Sequence, residues 1–278
     1  MRRSIFSDIG ENVCAEKVEN VSMEFTYESY CSLLSLIDSS GYEFADFENW
    51  EDKTRCVILR HDIDCDISKA LQMAKIEQQR NVKSTYYILV TSDFYNIHSK
   101  ENRNKLKQII KCGHDIGLHF DETVYSEEIV IGEGYAQNLC DKILYESKIL
   151  ENVIEKPVKS VSMHRPGKEI LKENLNIPGM VNTYGKTFFE EFKYVSDSRR
   201  NWREPVEELV ASGKYDRMQI LTHAFWYDEK EKGLHDKVKQ FINSANRQRY
   251  EAYGKNFTDL DSVMGMNEIC EDIREEGI

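Results

Sequence analysis

Seven short apolar runs, at 57–62, 84–91, 115–119, 158–163, 179–184, 193–197 and 218–222, recur along this chain with helical or loop segments between them. Short apolar runs alternating with amphipathic stretches imply strands joined by crossover helices. Helical patterning is strongest over 67–80, 101–112, 135–154, 203–212, 229–248 and 259–275. Tyr30, Leu33, Leu34 and Ile37 add a short helix over Tyr27–Ile37, after a leader of about 20 residues. Seven strands with intervening helices fit either a doubly wound sheet or a barrel of parallel strands, and both place their sites at the carboxyl ends of strands. No repeat, low-complexity stretch or Pro/Gly-rich linker interrupts the 278 residues, so a single domain is the simplest organisation. Residues 1–54 are expected to form a leader and helix packed on a body spanning 55–278, which ends in C-terminal helices.

The residues able to do chemistry fall at those strand ends. The run Val57-Ile58-Leu59-Arg60-His61-Asp62-Ile63-Asp64 closes on two acids spaced i, i+2. A strand alternates its side chains between faces, so Asp62 and Asp64 project from the same side. Two like charges that close are costly unless a cation or a shared proton intervenes, which suits a metal ligand beside a general base. An EF-hand starting at Asp62 is excluded, because its turn position is Ile67 instead of Gly and its twelfth position is Met73 instead of Glu. In Gly113-His114-Asp115-Ile116-Gly117-Leu118-His119-Phe120-Asp121, His114 and His119 fall on opposite faces, whereas His119 and Asp121 share one and could share a metal. Imidazole with carboxylates suits zinc and also manganese, iron or cobalt. Ser162-Met163-His164-Arg165-Pro166-Gly167 brings a permanent cation that, near Asp62, would hold that carboxylate ionised. Asp197 could supply an orienting carboxylate and Trp202 an aromatic wall. His223, beside Phe225 and Trp226, is a candidate general acid, since imidazole titrates near neutral pH.

Composition narrows the partners. A net charge of −12 with a sequence pI near 5.2 leaves no basic stripe for phosphates, so nucleic acid is not expected as a partner. Seven cysteines without a C-x-x-C pair suggest reduced thiols. No run of 18 apolar residues occurs, and acids stand where a secretory apolar region would lie, so the expected protein is cytoplasmic without a membrane span. Neither G-x-x-x-x-G-K-[ST] nor G-x-G-x-x-G is present.

The order of acid pair, G-H-x-I-G-x-H, R-P-x-G and L-T-H resembles the polysaccharide deacetylase family, carbohydrate esterase family 4 with its NodB-homology domain, across roughly residues 55 to 226. The resemblance implies an α/β fold, a distorted (β/α) barrel with about seven parallel strands. It implies metal-dependent hydrolysis of an N-acetyl group from an amino sugar, with one divalent cation, zinc first among zinc, cobalt, manganese and iron. It makes Asp62 the base, Asp64 and His119 metal ligands, Arg165 the residue that orients the base, and His223 the acid with Asp197 behind it. Trp202, Trp226 and His164 are assigned to the substrate. Two departures stand out: Ile63 separates aspartates that are commonly adjacent, as in a less common D-x-D branch, and Thr123 occupies the place of the family's second metal histidine. Asp121 is the expected third ligand, ahead of Thr123 and His164. A cytoplasmic setting directs the activity to a nucleotide- or lipid-linked precursor in surface polysaccharide biosynthesis. The alternatives are a catalytically silent carbohydrate-binding protein on this scaffold and a metal hydrolase of another amide or an ester.

Overall fold

The structure, a computed structural model, describes residues 23–269, so residues 1–22 of the expected leader and the end of the 259–275 helix lie outside the described residues. One sheet holds eight strands: β1 (Glu43–Ala45), β2 (Cys56–Ile63), β3 (Thr85–Leu89), β4 (Asp115–Phe120), β5 (Ser160–Met163), β6 (Val181–Asn182), β7 (Lys193–Ser196) and β8 (Arg217–Thr222). Their hydrogen-bonded order is β6-β5-β4-β3-β2-β8-β7, with β1 on β2, and every pairing is parallel. Followed round the sheet, the strands run in chain order from β2 to β6 on one side and return through β7 and β8 to β2. Among the described residues no ladder joins β6 to β7. The fold is therefore a distorted (β/α) barrel of seven parallel strands in a single domain, open along one seam.

All seven expected strands are present. The eighth, β1, is three residues long, too short to show a period. It pairs with Cys56–Ile58 of β2, while β3 pairs with Arg60–Ile63. Since β8 holds the other edge of β2 from Cys56 to His61, β1 and β3 share the remaining edge end to end.

Strand β2 is buried along its whole length, as expected of a central parallel strand covered on both faces. Val57, Leu59 and Ile63 join the large core beneath the helices, whereas Cys56 and Ile58 meet Phe47, Tyr87, Phe188 and Phe192 inside the barrel. By the same alternation Arg60 and Asp62 point inward. The interior face of β2 thus changes from apolar to charged on approaching its carboxyl end. Gly117 of β4 makes room in this interior: a Cβ there would lie 2.3 Å from Cε1 of Tyr87.

The helices are α1 (Tyr27–Ser39), α2 (Ile67–Gln78), α3 (Lys100–Lys111), α4 (Tyr135–Ile154), α5 (Lys168–Lys172), α6 (Val206–Ser212), α7 (Leu234–Gly254) and α8 (Leu260–Val263). Thr26 caps α1 by accepting from the Ser29 N–H, and Asp66 caps α2 by accepting from the Ser68 N–H. Asp64 is thereby held between a strand end and a capped helix start. The five-residue α5 was not expected. The last helix is shorter than its pattern implies, because Met264 adopts an extended backbone and ends it. Among the described residues no helix is long and apolar enough to cross a membrane.

Candidate metal centre and catalytic cleft

Asp62, Asp64, His119, His164, Asp197 and His223 all lie at or just beyond the carboxyl ends of β2, β4, β5, β7 and β8. Three donor atoms face one point. Asp64 Oδ1 lies 3.2 Å from His119 Nε2 and 3.4 Å from His164 Nδ1, and those two nitrogens are 3.1 Å apart. A cation with ligand bonds of about 2.0–2.2 Å separates its ligand atoms by about 3–3.5 Å, so the trio fits a divalent ion. Asp64 Oδ1 is also buried without a hydrogen-bond partner. His119 Nδ1 contacts the Ser162 carbonyl at 3.2 Å, which leaves Nε2 as the nitrogen available to a metal. The two imidazoles bring the Asp64 carboxyl far below the usual carboxylate range, against the opposing effect of burial.

Asp121, the expected third ligand, is not in the trio; His164 is. The reason is local. Strand β4 ends at Phe120 and the chain turns into a single 3-10 turn over Glu122–Tyr125, so face alternation stops before Asp121. Asp121 Oδ1 accepts from the Thr123 N–H at 2.9 Å and from Thr123 Oγ1 at 2.6 Å, and Oδ2 accepts from Arg165 Nη2 at 2.6 Å. Burial notwithstanding, these donors hold its carboxyl below its ordinary value. Thr123 is a partner of Asp121, and no contact links it to the trio.

Asp62 is 3% exposed and sits beside the trio, with Oδ2 3.9 Å from His119 Nε2. The guanidinium on it belongs to Arg60, whose Nη2 donates to Oδ2 at 3.0 Å, and Ser162 Oγ donates to the same oxygen at 3.1 Å. Oδ1 is buried and unpartnered. Burial opposes ionisation of Asp62, but Arg60, then His119 and His223, bring its pKa below the ordinary value. Arg165 does not reach Asp62. It is exposed, engages Asp121, and holds a backbone φ of 49°, an unusual conformation for a residue with a Cβ.

His223 and Asp197 come together as expected. His223 Nδ1 lies 2.6 Å from Asp197 Oδ1, and the His223 backbone N–H donates to both carboxylate oxygens at 3.0 and 3.1 Å. Burial disfavours the imidazolium, yet the Asp197 carboxylate outweighs it and lifts the His223 pKa to about 9. Burial in turn raises Asp197. With Nδ1 engaged, Nε2 faces the centre, 3.9 Å from Asp64 Oδ2.

The aromatic wall is corrected in part. Trp202 is 6% exposed and packs in the core, so it is no open sugar platform. Trp226 is half-buried, follows His223 in a 3-10 turn and packs edge-on against Phe225. Sequence reasoning missed Arg60 and Ser162. Their signal was parity: Arg60 stands two before Asp62 inside an apolar run, and Ser162 stands two before His164.

No protein-family model and no curated protein matches the sequence. Among solved structures, the chain is similar to a CE4 family pseudoenzyme from Bacillus anthracis at 15% identity and a TM-score of 0.39, covering 71% of this chain and 62% of that one. A peptidoglycan deacetylase from Bacillus subtilis matches at 12% identity and a TM-score of 0.41, over 76% of this chain and 98% of the other. A family 4 carbohydrate esterase from Bacillus anthracis matches at 12% identity and 0.38, over 77% and 85%. These likenesses are remote, and the reading of the site rests on its own residues. Two of these three structures are described as members of carbohydrate esterase family 4 and the other as a peptidoglycan deacetylase.

Proposed function

We propose that this protein is a metal-dependent hydrolase that removes the N-acetyl group of an amino sugar. The observation that carries this reading is that a carboxylate with one unpartnered oxygen, three candidate metal donors and an Asp-paired imidazole converge at the carboxyl ends of the strands. Asp64, His119 and His164 would hold a divalent cation, zinc foremost and cobalt, manganese or iron as alternatives, and such an ion supplies Lewis acidity toward an amide carbonyl and a water. Asp62 accepts the proton of the attacking water at Oδ1, the oxygen that no protein donor occupies. His223 donates from Nε2 to the departing amine, which leaves poorly without that proton. Asp197 keeps the imidazole oriented and protonated until that moment. Trp226, half-buried and three residues after His223, is the proposed contact for the sugar.

The seven cysteines contain no C-x-x-C pair, and this composition suits a reducing compartment. The proposed substrate is accordingly a carrier-linked N-acetylated precursor of a surface polysaccharide. The test is acetate release from nucleotide- and lipid-linked N-acetyl amino sugars by protein loaded with one equivalent of zinc, cobalt, manganese or iron. Release that disappears with chelator and returns with metal is the expected result. Stoichiometric metal without release from any amino sugar would favour a carbohydrate-binding role, and release only from other amides or esters would reassign the substrate. His164→Ala and His119→Ala should each lower metal affinity at least tenfold, whereas Asp121→Ala should change it less.

A further inference from the structure

The cleft contains two carboxylates on one face, and nothing in their chemistry says which should bind metal. Asp62 Oδ2 and Asp64 Oδ1 both lie near His119 Nε2, at 3.9 and 3.2 Å. What separates them is what stands behind each. Asp64 Oδ1 faces only the imidazole nitrogens of His119 and His164, whereas the oxygen of Asp62 nearer the metal position is occupied by Arg60 Nη2 and Ser162 Oγ.

Arg60 cannot drift from this post. It is fully buried inside the barrel, its Nη1 donates to Thr183 Oγ1 at 2.6 Å and to Gln219 Oε1 at 3.3 Å, and its Nη2 also donates to the Tyr184 hydroxyl at 3.1 Å. Gln219 is itself fixed, because its Nε2 donates to the carbonyls of Phe188 and Thr183, which turns Oε1 toward the guanidinium. The rings of Tyr184, Tyr87 and Tyr194 lie 4.7, 5.7 and 5.7 Å from the guanidinium carbon. Gly117 is what lets Tyr87 take that place. Neutral groups thus surround a permanent cation whose sole close anion among the described residues is Asp62, and a cation so enclosed keeps its anion.

We propose that Arg60, acting from inside the barrel, is the positioning residue that keeps Asp62 a free base and out of the metal's ligand set. The inference rests on the metal-hydrolase reading, and it removes Arg165 from that role. Without Arg60, Asp62 is released toward the cation and becomes an added ligand.

Cobalt(II) reports this directly, because its visible absorption weakens as coordination number rises. The expected result is full cobalt uptake by the wild type and by Arg60→Met, with a weaker visible band in the variant, whereas Arg165→Ala retains the wild-type band. A weakened band in Arg165→Ala with no change in Arg60→Met overturns the proposal. Arg60→Met leaves a buried carboxylate unpaired, so its melting temperature should fall by about 10 °C, and the double variant Arg60→Met, Asp62→Asn should recover most of that loss. Additive losses in the double variant would overturn the pairing even if the single variant proves too unstable for spectroscopy. Wild type that takes up no cobalt fails the metal reading and this inference together. Wild-type uptake with an unchanged band in Arg60→Met overturns this inference alone, whatever acetate release shows.

Discussion

Strand β2 meets two buried carboxylates on opposite faces through adjacent residues, Glu77 of α2 through His61 and its own Asp62, and they are built to opposite ends. Outward, His61 Nε2 meets Glu77 Oε1 at 2.8 Å, and Glu77 also accepts from the hydroxyls of Tyr30, Ser84 and Tyr86 at 2.6–2.7 Å. Both oxygens of Glu77 are saturated, and burial notwithstanding, His61 holds its carboxyl down near about 2. Inward, Asp62 has two donors on one oxygen and none on the other. A saturated carboxylate can only hold parts together; one left half-open in a cleft can take a proton. In the proposed function the difference separates anchorage at Glu77 from chemistry at Asp62.

The sharpest way to break this comparison is Asp62→Asn, which keeps shape and hydrogen bonding but removes the proton acceptor. Acetate release should fall by about 10²–10⁴-fold while metal stays bound. Equal turnover in the variant would remove Asp62 from the chemistry. Nearly as large should be the effect of His223→Ala on an acetamido sugar, with a much smaller effect on an aryl acetate whose phenolate leaves unaided. Parallel losses on the two substrates would show that His223 is not the acid. The same pairing sets a pH limit: the imidazolium is lost as pH rises through about 9, so the alkaline limb should lie there and move toward neutrality in Asp197→Asn.

Glu77→Ala should act on stability instead, costing about 3–5 kcal/mol in denaturant unfolding, because three hydroxyl donors and His61 lose their acceptor. A loss below about 1 kcal/mol would show that the outward network anchors little. Because the folded pKa of Glu77 is lowered, its contribution is present above the unfolded value and is lost as pH falls toward about 2. Glu146 on α4 runs the other way. Tyr125 donates to its Oε1, but Oε2 has no partner, and burial lifts its pKa to about 7. Its favourable contribution is full below the unfolded carboxylate value near 4.3 and is lost as pH rises through about 7. Glu146→Gln should therefore stabilise the fold at pH 8 by up to about 3 kcal/mol and little at pH 5. A pH-independent difference would contradict the assignment.

The barrel was legible because each long strand is an apolar run bounded by polar residues, a pattern that survives without knowledge of its neighbours. Three-residue β1 and five-residue α5 carry too few side chains to show a period. At the site, Asp62, Asp64, His119, Asp197 and His223 could be read from strand ends alone. Pairings could not. Face alternation favoured Asp121 over His164, and it misled because the strand stops one residue earlier and Asp121 turns to cap Thr123. Which arginine meets Asp62 depends on the curvature of the sheet, which brings Thr183, Tyr184 and Gln219 round Arg60 and leaves Arg165 outside.

The circular strand order has a kinetic side. The pairs from β2 to β6, and β7 with β8, join strands that are successive in the chain, whereas β8 must find β2, with Arg217 opposite Cys56. Of the ladders in the sheet, this one joins the strands most distant in sequence, so its closure carries a large loop entropy and raises the contact order. The three candidate metal donors all lie on the near side of this step, within residues 64–164, and the proposed acid lies beyond it, one residue past β8. In the proposed function, the ion would therefore be held by the part of the barrel whose strands are successive in the chain, and the proton would come from the end of the strand that closes it.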